Sequence, residues 1–303
     1  MSLNDNAQVD PSQIDDRRGM GGGGGGLGFM PIPTSRGGLI VTIIVVLLGL
    51  AGGGYFGVNA LGGGGDNGNI ATDCGSANPD RDQRTDCRNA LYVESIQNFW
   101  QSETPDVFGK RYSRARTEFF SGSTDTGCGP ADTGVGPFYC PADDEVYIDL
   151  SFYNQLANQF GAEGQFAQPY VLAHEYGHHV QDIVGTEAAM RDAQQRNPGE
   201  ANKLSVMLEL QADCYAGVWA KHAESTTDTH GTPIFTSVTP QDFQEAVTAA
   251  GAVGDGTIQK KMGGGVDESA FTHGSSAQRE RWLRTGYDSG DPKSCDTFGG
   301  ALS

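Results

Sequence analysis

The chain has 303 residues, with 38 acidic side chains against 20 basic ones and a formal net charge of -18. That balance argues against a nucleic-acid binder, which needs a basic surface to meet phosphate. Hydrophobic residues form 37% of the chain and the 45 glycines are bunched in particular stretches, so the folded part reads as one domain of about 240 residues.

Residues 1–38 show almost no apolar periodicity, carry a glycine run at 21–26 and contain Pro11, Pro31 and Pro33. This composition predicts a disordered, Gly-rich tail. Residues 39–61 hold no charged side chain and begin with an almost purely aliphatic dozen. At about 1.5 Å per residue they can cross a hydrocarbon core of about 30 Å, so the expectation is one transmembrane helix. A cleaved signal peptide is the rival reading, because Ala51, Gly52 and Gly53 follow the aliphatic run. A buried strand or core helix is a further alternative. Arg17, Arg18 and Arg36 precede the span and Asp66 and Asp73 follow it. By the positive-inside rule the tail is cytoplasmic and the rest of a single-pass membrane protein lies outside.

All six cysteines follow that span. An even set on one side suggests disulfides outside the cytoplasm. Cys74 with Cys87 and Cys128 with Cys140 would close short loops, leaving Cys214 for Cys295. Reduced, buried thiols are the alternative, and a four-cysteine zinc site is weaker because no C-x-x-C spacing occurs.

A flexible linker is expected over residues 62–80, ahead of a domain over 81–303. Residues 88–101 place Leu91, Val93, Ile96, Phe99 and Trp100 at near-helical spacing, with Pro105 as the stop. Residues 115–120 read as a strand, and 122–140 as a Gly-rich loop bounded by cysteines. Val146, Ile148 and Leu150 alternate with Tyr147, Asp149 and Ser151, the period of a strand with one buried face. Helices are expected at about 168–185, 200–222, 240–251 and 276–285. Strands that come first and helices that then dominate make the class α+β, mainly helical with a small sheet.

The chemistry concentrates at residues 174–178, where His174, Glu175 and His178 form H-E-x-x-H within the apolar pattern of Val171, Leu172, Ala173 and Val180. Two histidines four apart on a helix differ by about 40° around the axis and about 6 Å along it, so both imidazoles reach one ion. Glu175 flanks them and suits a general base for a metal-bound water. A catalytic zinc needs a third protein ligand. The metzincin continuation would put Gly and His where Gln181 and Val184 stand, so it does not apply. Glu209 and Asp213 share one face of the next long helix among Leu208, Leu210, Ala212, Ala216, Val218 and Trp219. A buried carboxylate needs a partner; Glu209 can be the third ligand, and Asp213 can accept the outer N–H of a ligating histidine. Cys214 points about 140° away from Glu209, which argues against a thiolate ligand.

These stretches, with residues 136–152 (GPFYCPADDEVYIDLSF), 172–181 (LAHEYGHHVQ), 208–219 (LELQADCYAGVW) and 272–282 (THGSSAQRERW), resemble the bacterial neutral zinc metallopeptidase family from about Cys87 to Phe298. The resemblance implies a zincin-like domain behind a single membrane span, zinc held by His174, His178 and Glu209, and Glu175 as the catalytic group. The expected activity is hydrolysis of peptides or unfolded proteins outside the cytoplasm. The strand at 146–150 is the candidate edge for pairing an extended substrate, with an interior position as the alternative. His273 is the candidate second donor to the reacting carbonyl oxygen. Arg279 reads as a surface or ion-pair residue, and His179, His222 and His230 as ordinary histidines. A bridge between Cys214 and Cys295 would tie the C-terminal segment to the zinc helix. The alternative function is a zinc-stabilised binding or scaffold protein with little hydrolysis.

Overall fold

The computed structural model describes residues 1–19 and 69–302. The chain begins with β1 (Ser2–Leu3) and β2 (Ile14–Asp16), and the description resumes at α1 (Ile70–Asp73) and α2 (Thr85–Phe108). Strands β3 (Arg116–Phe120), β4 (Ser123–Thr126), β5 (Gly129–Asp132), β6 (Phe138–Cys140) and β7 (Glu145–Asp149) follow. Then come α3 (Phe152–Phe160), α4 (Ala167–Val184), α5 (Thr186–Arg196), α6 (Ala201–His222), β8 (Phe235–Ser237), α7 (Pro240–Ala252), α8 (Asp255–Lys261) and α9 (Ser276–Ser289). The described chain is mostly helical with a small sheet, and the helices that carry H-E-x-x-H and Glu209 are the long α4 and α6.

The principal sheet has the order β2-β3-β7-β6, with β2, β3 and β7 parallel and β6 antiparallel to β7. Strand β7 is therefore interior and cannot offer an edge to a substrate; the edge beside it is β6. Val146 and Ile148 face the main core, while Tyr147 packs with Phe120, Phe138 and Cys140 in a second cluster. Both faces of β7 are covered, so the alternation in its sequence marks two buried surfaces rather than one buried and one wet. The Thr117 hydroxyl and the Tyr176 hydroxyl lie 2.7 Å apart and tie β3 to α4. Helix α2 runs through Pro105 and stops only at Gly109, whose φ of 64° closes the last turn. The proline stands in that final turn.

The N-terminal segment is part of this domain. Leu3 pairs with Phe235 of β8, and Ile14 to Asp16 pair with Thr117 to Phe119. Arg81 donates to the carbonyls of Asn4 and Ala7 at 2.6 Å each, and Arg18 bonds both Asp16 and Asp86 at 2.6 Å. These contacts correct two expectations. The first 19 residues are not a disordered tail: their strands are too short to show a period, and distant partners hold them. Nor does the single-pass arrangement stand, with its membrane partner and its cytoplasmic tail opposite an extracytoplasmic domain. One crossing separates its two ends by a bilayer, whereas residues before and after 39–61 are hydrogen-bonded together. Among the described residues no helix is long and apolar enough to cross a membrane; residues 39–61 lie outside the described residues. Within the stretch expected as linker, α1 buries Ile70, and Cys74 is bridged to Cys87.

Candidate metal centre

Helices α4 and α6 approach so closely that even a methyl group at their point of contact would press on the opposite backbone. A Cβ on Gly177, between the two histidines, would stand 3.0 Å from the Ala212 Cα and 3.1 Å from its carbonyl oxygen. Helices α6 and α9 meet more tightly still, since a Cβ on Gly286 would lie 1.9 Å from the Cys214 carbonyl oxygen and one on Gly217 2.0 Å from that of Leu283. Close backbone approach brings short carboxylates on α6 to imidazoles on α4 and to a guanidinium on α9.

The result is a buried cluster in which one ligand atom from each of His174, His178 and Glu209 lies within 4.8 Å of the others. His174 Nε2 is 3.2 Å from Glu209 Oε2 and 3.2 Å from His178 Nε2, and His178 Nε2 is 3.6 Å from Glu209 Oε1. The outer ring nitrogens decide what these inner ones can be. His174 Nδ1 lies 2.9 Å from Asp213 Oδ1 and 3.4 Å from Arg279 Nη2; the nearer group is an obligate acceptor, so Nδ1 carries the hydrogen. His178 Nδ1 lies 2.8 Å from Gln181 Oε1 and donates to it. Each Nε2 is left to offer its lone pair or to take up a proton, facing the other ring and a carboxylate in a site closed to solvent. Three electron-pair donors at this spacing repel unless a positive charge sits among them, and two imidazoles with one carboxylate are the donor set of a zinc site.

The proton affinities say the same. Burial works against a charge on His174, but Asp213 and Glu209 outweigh it and take the imidazole up to about 10. Burial, with His174 alongside, takes His178 down to about 4. Glu209 falls to about 2 despite its burial, because the two imidazoles favour its ionised form. The cluster thus draws in one positive charge, and a divalent cation competes for that place with a proton.

Glu175 is fully buried beside this group. The Tyr139 N–H of edge strand β6 donates to its Oε2 at 3.1 Å, while Oε1 has no hydrogen-bond partner among the described residues. Burial and the Glu209 carboxylate, against His174, raise it to about 8. His273 gives its Nδ1 to Asp255 at 3.0 Å, and Asp255 also accepts the backbone N–H groups of Thr272, His273 and Gly274 at 2.7–2.9 Å. Burial lowers His273, yet Asp255 and then Glu209 raise it on balance, which sets the ring within electrostatic reach of the cluster.

Arg279 was expected at the surface or in an ion pair; it is fully buried and paired. Its Nε donates to Asp213 Oδ2 at 2.8 Å and its Nη2 to Oδ1 at 3.0 Å, and the Tyr170 hydroxyl donates to Oδ1 at 2.7 Å. One carboxylate thus holds a cation, a phenol and the His174 imidazole. Sequence reasoning missed this role of Arg279 and the roles of Asp255 and Gln181. The stripe Arg279, Leu283, Gly286 on α9 was the available signal for the first. Three disulfides join Cys74 to Cys87, Cys128 to Cys140 and Cys214 to Cys295. These are the pairs that loop length suggests. His179 is buried against Tyr139 and the Ser113 carbonyl, outside the cluster.

A family model described as "Putative neutral zinc metallopeptidase" matches residues 4–298. The chain belongs to this family. Relatives include the uncharacterized protein YpfJ of Escherichia coli (strain K12), 39% identical over 293 residues that cover 95% of this chain and 96% of the relative. The uncharacterized protein Rv2575 of Mycobacterium tuberculosis (strain ATCC 25618 / H37Rv) is 44% identical over 224 residues, 73% of each chain. No solved structure matches. The family match begins at residue 4, in keeping with an N-terminal segment that is built into the domain.

Proposed function

We propose that this metallopeptidase holds one zinc ion through His174, His178 and Glu209 and hydrolyses peptide bonds with Glu175 as general base. The observation that carries the reading is the convergence of those three donors, the two imidazoles oriented from outside, with a carboxyl oxygen of Glu175 left unengaged beside them. A zinc ion so held polarises a peptide carbonyl and lowers the pKa of a bound water towards about 7.

The remaining roles fall to the chain. The Tyr139 N–H fixes Glu175 Oε2, so Oε1 is the atom that takes the proton of the attacking water and returns it to the leaving amine. Asp213 keeps the hydrogen of His174 on Nδ1, and Gln181 does so for His178, which leaves both Nε2 lone pairs for the metal. His273, held by Asp255, donates to the carbonyl oxygen as it gains charge, a contribution of about 3 kcal/mol to the barrier for such a donor. An extended substrate lies along β6, the edge strand that touches Glu175. A cavity of about 490 Å³ lined by Asn202, Val206, Phe271, Ser275 and Gln278 begins one turn before Glu209 on α6 and flanks His273 in sequence on both sides. Its mixed polar and apolar walls suit a peptide side chain beside the bond to be cut.

The test is digestion of a degenerate peptide library by the zinc-loaded protein and its Glu175→Gln form. The reading expects turnover to fall by about 100-fold or more with zinc retained. Equal rates in the two proteins would instead favour a zinc-stabilised binding protein.

A further inference from the structure

We infer that Gln211 is a positioning residue for the zinc ligand His178, acting through Gln181 and drawing its own orientation from the backbone carbonyl of Cys295 in the Cys214–Cys295 bridge. The inference rests on the reading that His178 binds the metal.

Hydrogen-bond polarity fixes each side chain in turn. The Cys295 carbonyl can only accept, and it takes the Gln211 Nε2 hydrogen at 2.9 Å. With its amide nitrogen so committed, Gln211 turns Oε1 towards Gln181, whose Nε2 donates to it at 3.1 Å and to the Leu208 carbonyl at 2.8 Å. Both hydrogens of the Gln181 amide are then used, so Gln181 Oε1 must face His178 as an acceptor. That places the hydrogen on His178 Nδ1 and the lone pair on Nε2, the atom that meets His174 and Glu209. A flipped Gln211 would set its NH2 group against that of Gln181, two donors with no acceptor between them. All three side chains are buried, so water cannot repair a wrong orientation.

The relay also explains the place of the bridge. Cys214 follows Asp213, which sets the tautomer of His174, while Cys295 supplies the carbonyl that sets the tautomer of His178. One covalent tie thereby registers the C-terminal segment against both imidazoles.

The experiment measures zinc affinity by chelator competition, and the visible spectrum of the cobalt-loaded protein, for Gln181→Met, Gln211→Met and Gln194→Met in the full chain. Gln194 is the control: it is a buried glutamine that donates to the Ala201 carbonyl at 2.9 Å and the Ser205 hydroxyl at 3.0 Å and lies outside the relay. We expect zinc to bind about 10- to 100-fold more weakly in Gln181→Met, the usual cost of losing a partner of a ligating histidine. Gln211→Met is expected to weaken it about 3- to 10-fold, the worth of one buried hydrogen bond, with a shifted cobalt spectrum. Gln194→Met keeps wild-type affinity and spectrum even where its melting temperature falls as far. If Gln211→Met does not fold, Gln211→Glu takes its place, since it still accepts from Gln181 but has no hydrogen for Cys295. Wild-type affinity and spectrum in the Gln211 variant would overturn the inference, as would an equal loss in Gln194→Met. Zinc affinity unchanged by His178→Ala would instead remove the reading of the metal site beneath it.

Discussion

Arg279 and Asp213 form a buried ion pair directly behind His174, and the pair predicts a pronounced non-additivity. Arg279→Met leaves the Asp213 carboxylate with the Tyr170 hydroxyl and the His174 ring but without the guanidinium that holds both of its oxygens. Asp213→Asn leaves a fully buried guanidinium without an anion. Breaking a buried pair by removing one partner costs about 3–5 kcal/mol, whereas removing both charges is often close to neutral. At about 2–4 °C per kcal/mol for a domain of this size, each single variant should melt roughly 6–20 °C below wild type. The double variant should recover much of that loss, with a coupling energy of about 2 kcal/mol or more. The assay is urea unfolding of the four proteins in the presence of a chelator, so that metal binding does not enter the cycle. Single losses under about 1 kcal/mol, or losses that simply add, would refute the argument that this carboxylate is held by charge pairing.

Further consequences can be checked separately. Gly286→Ala forces a methyl to 1.9 Å from the Cys214 carbonyl oxygen; the loss of stability should reach the upper end of about 1–3 kcal/mol or exceed it, while Gly265→Ala, with open space around it, should be nearly neutral in the same denaturation assay. Asp86 is held down to about 2 by Arg84 and Arg18 although burial opposes them. Since its folded pKa lies below the ordinary value of 3.8, the stabilisation is complete above that value and is lost as pH falls towards 2, about 1–2 kcal/mol after allowance for the exposed guanidinium groups. Urea midpoints between pH 5 and pH 2.5 should therefore fall less steeply in Arg18→Met than in wild type; equal slopes would detach residues 1–19 from the account. Val206→Trp fills the cavity beside His273, so library digestion should show an altered side-chain preference at one position next to the cut while zinc content is unchanged. An unaltered preference would remove that cavity from the substrate path.

The parts of the site that lie close in sequence were legible there. His174 and His178 are one helical turn apart, so their convergence follows from helix geometry, and Glu209 was marked by the apolar residues around it. What the sequence could not show is how far away the stabilising partners are. Arg279 lies among Glu280, Arg281 and Arg284 on a mostly polar helix, and the thin stripe it forms with Leu283 and Gly286 does not show that its partner is Asp213 on α6. Asp255 stands 18 residues before His273 and reaches it through a loop with no periodic pattern. The N-terminal strands are two and three residues long, and their stability comes from Arg81, β3 and β8. The aliphatic run at 39–61 dominated the reading of that whole region, although the residues ahead of it are hydrogen-bonded to those that follow.

X-ray absorption at the zinc edge of the reconstituted full chain, with metal counted per protein, tests the central assignment most directly. One zinc per chain is expected, with nitrogen and oxygen neighbours only, at about 2.0–2.2 Å, including the scattering pattern of two imidazoles. Loss of one imidazole is expected in His178→Ala. A sulfur neighbour near about 2.3 Å, or fewer than two imidazoles, would contradict the assignment, since all six cysteines are paired in disulfides.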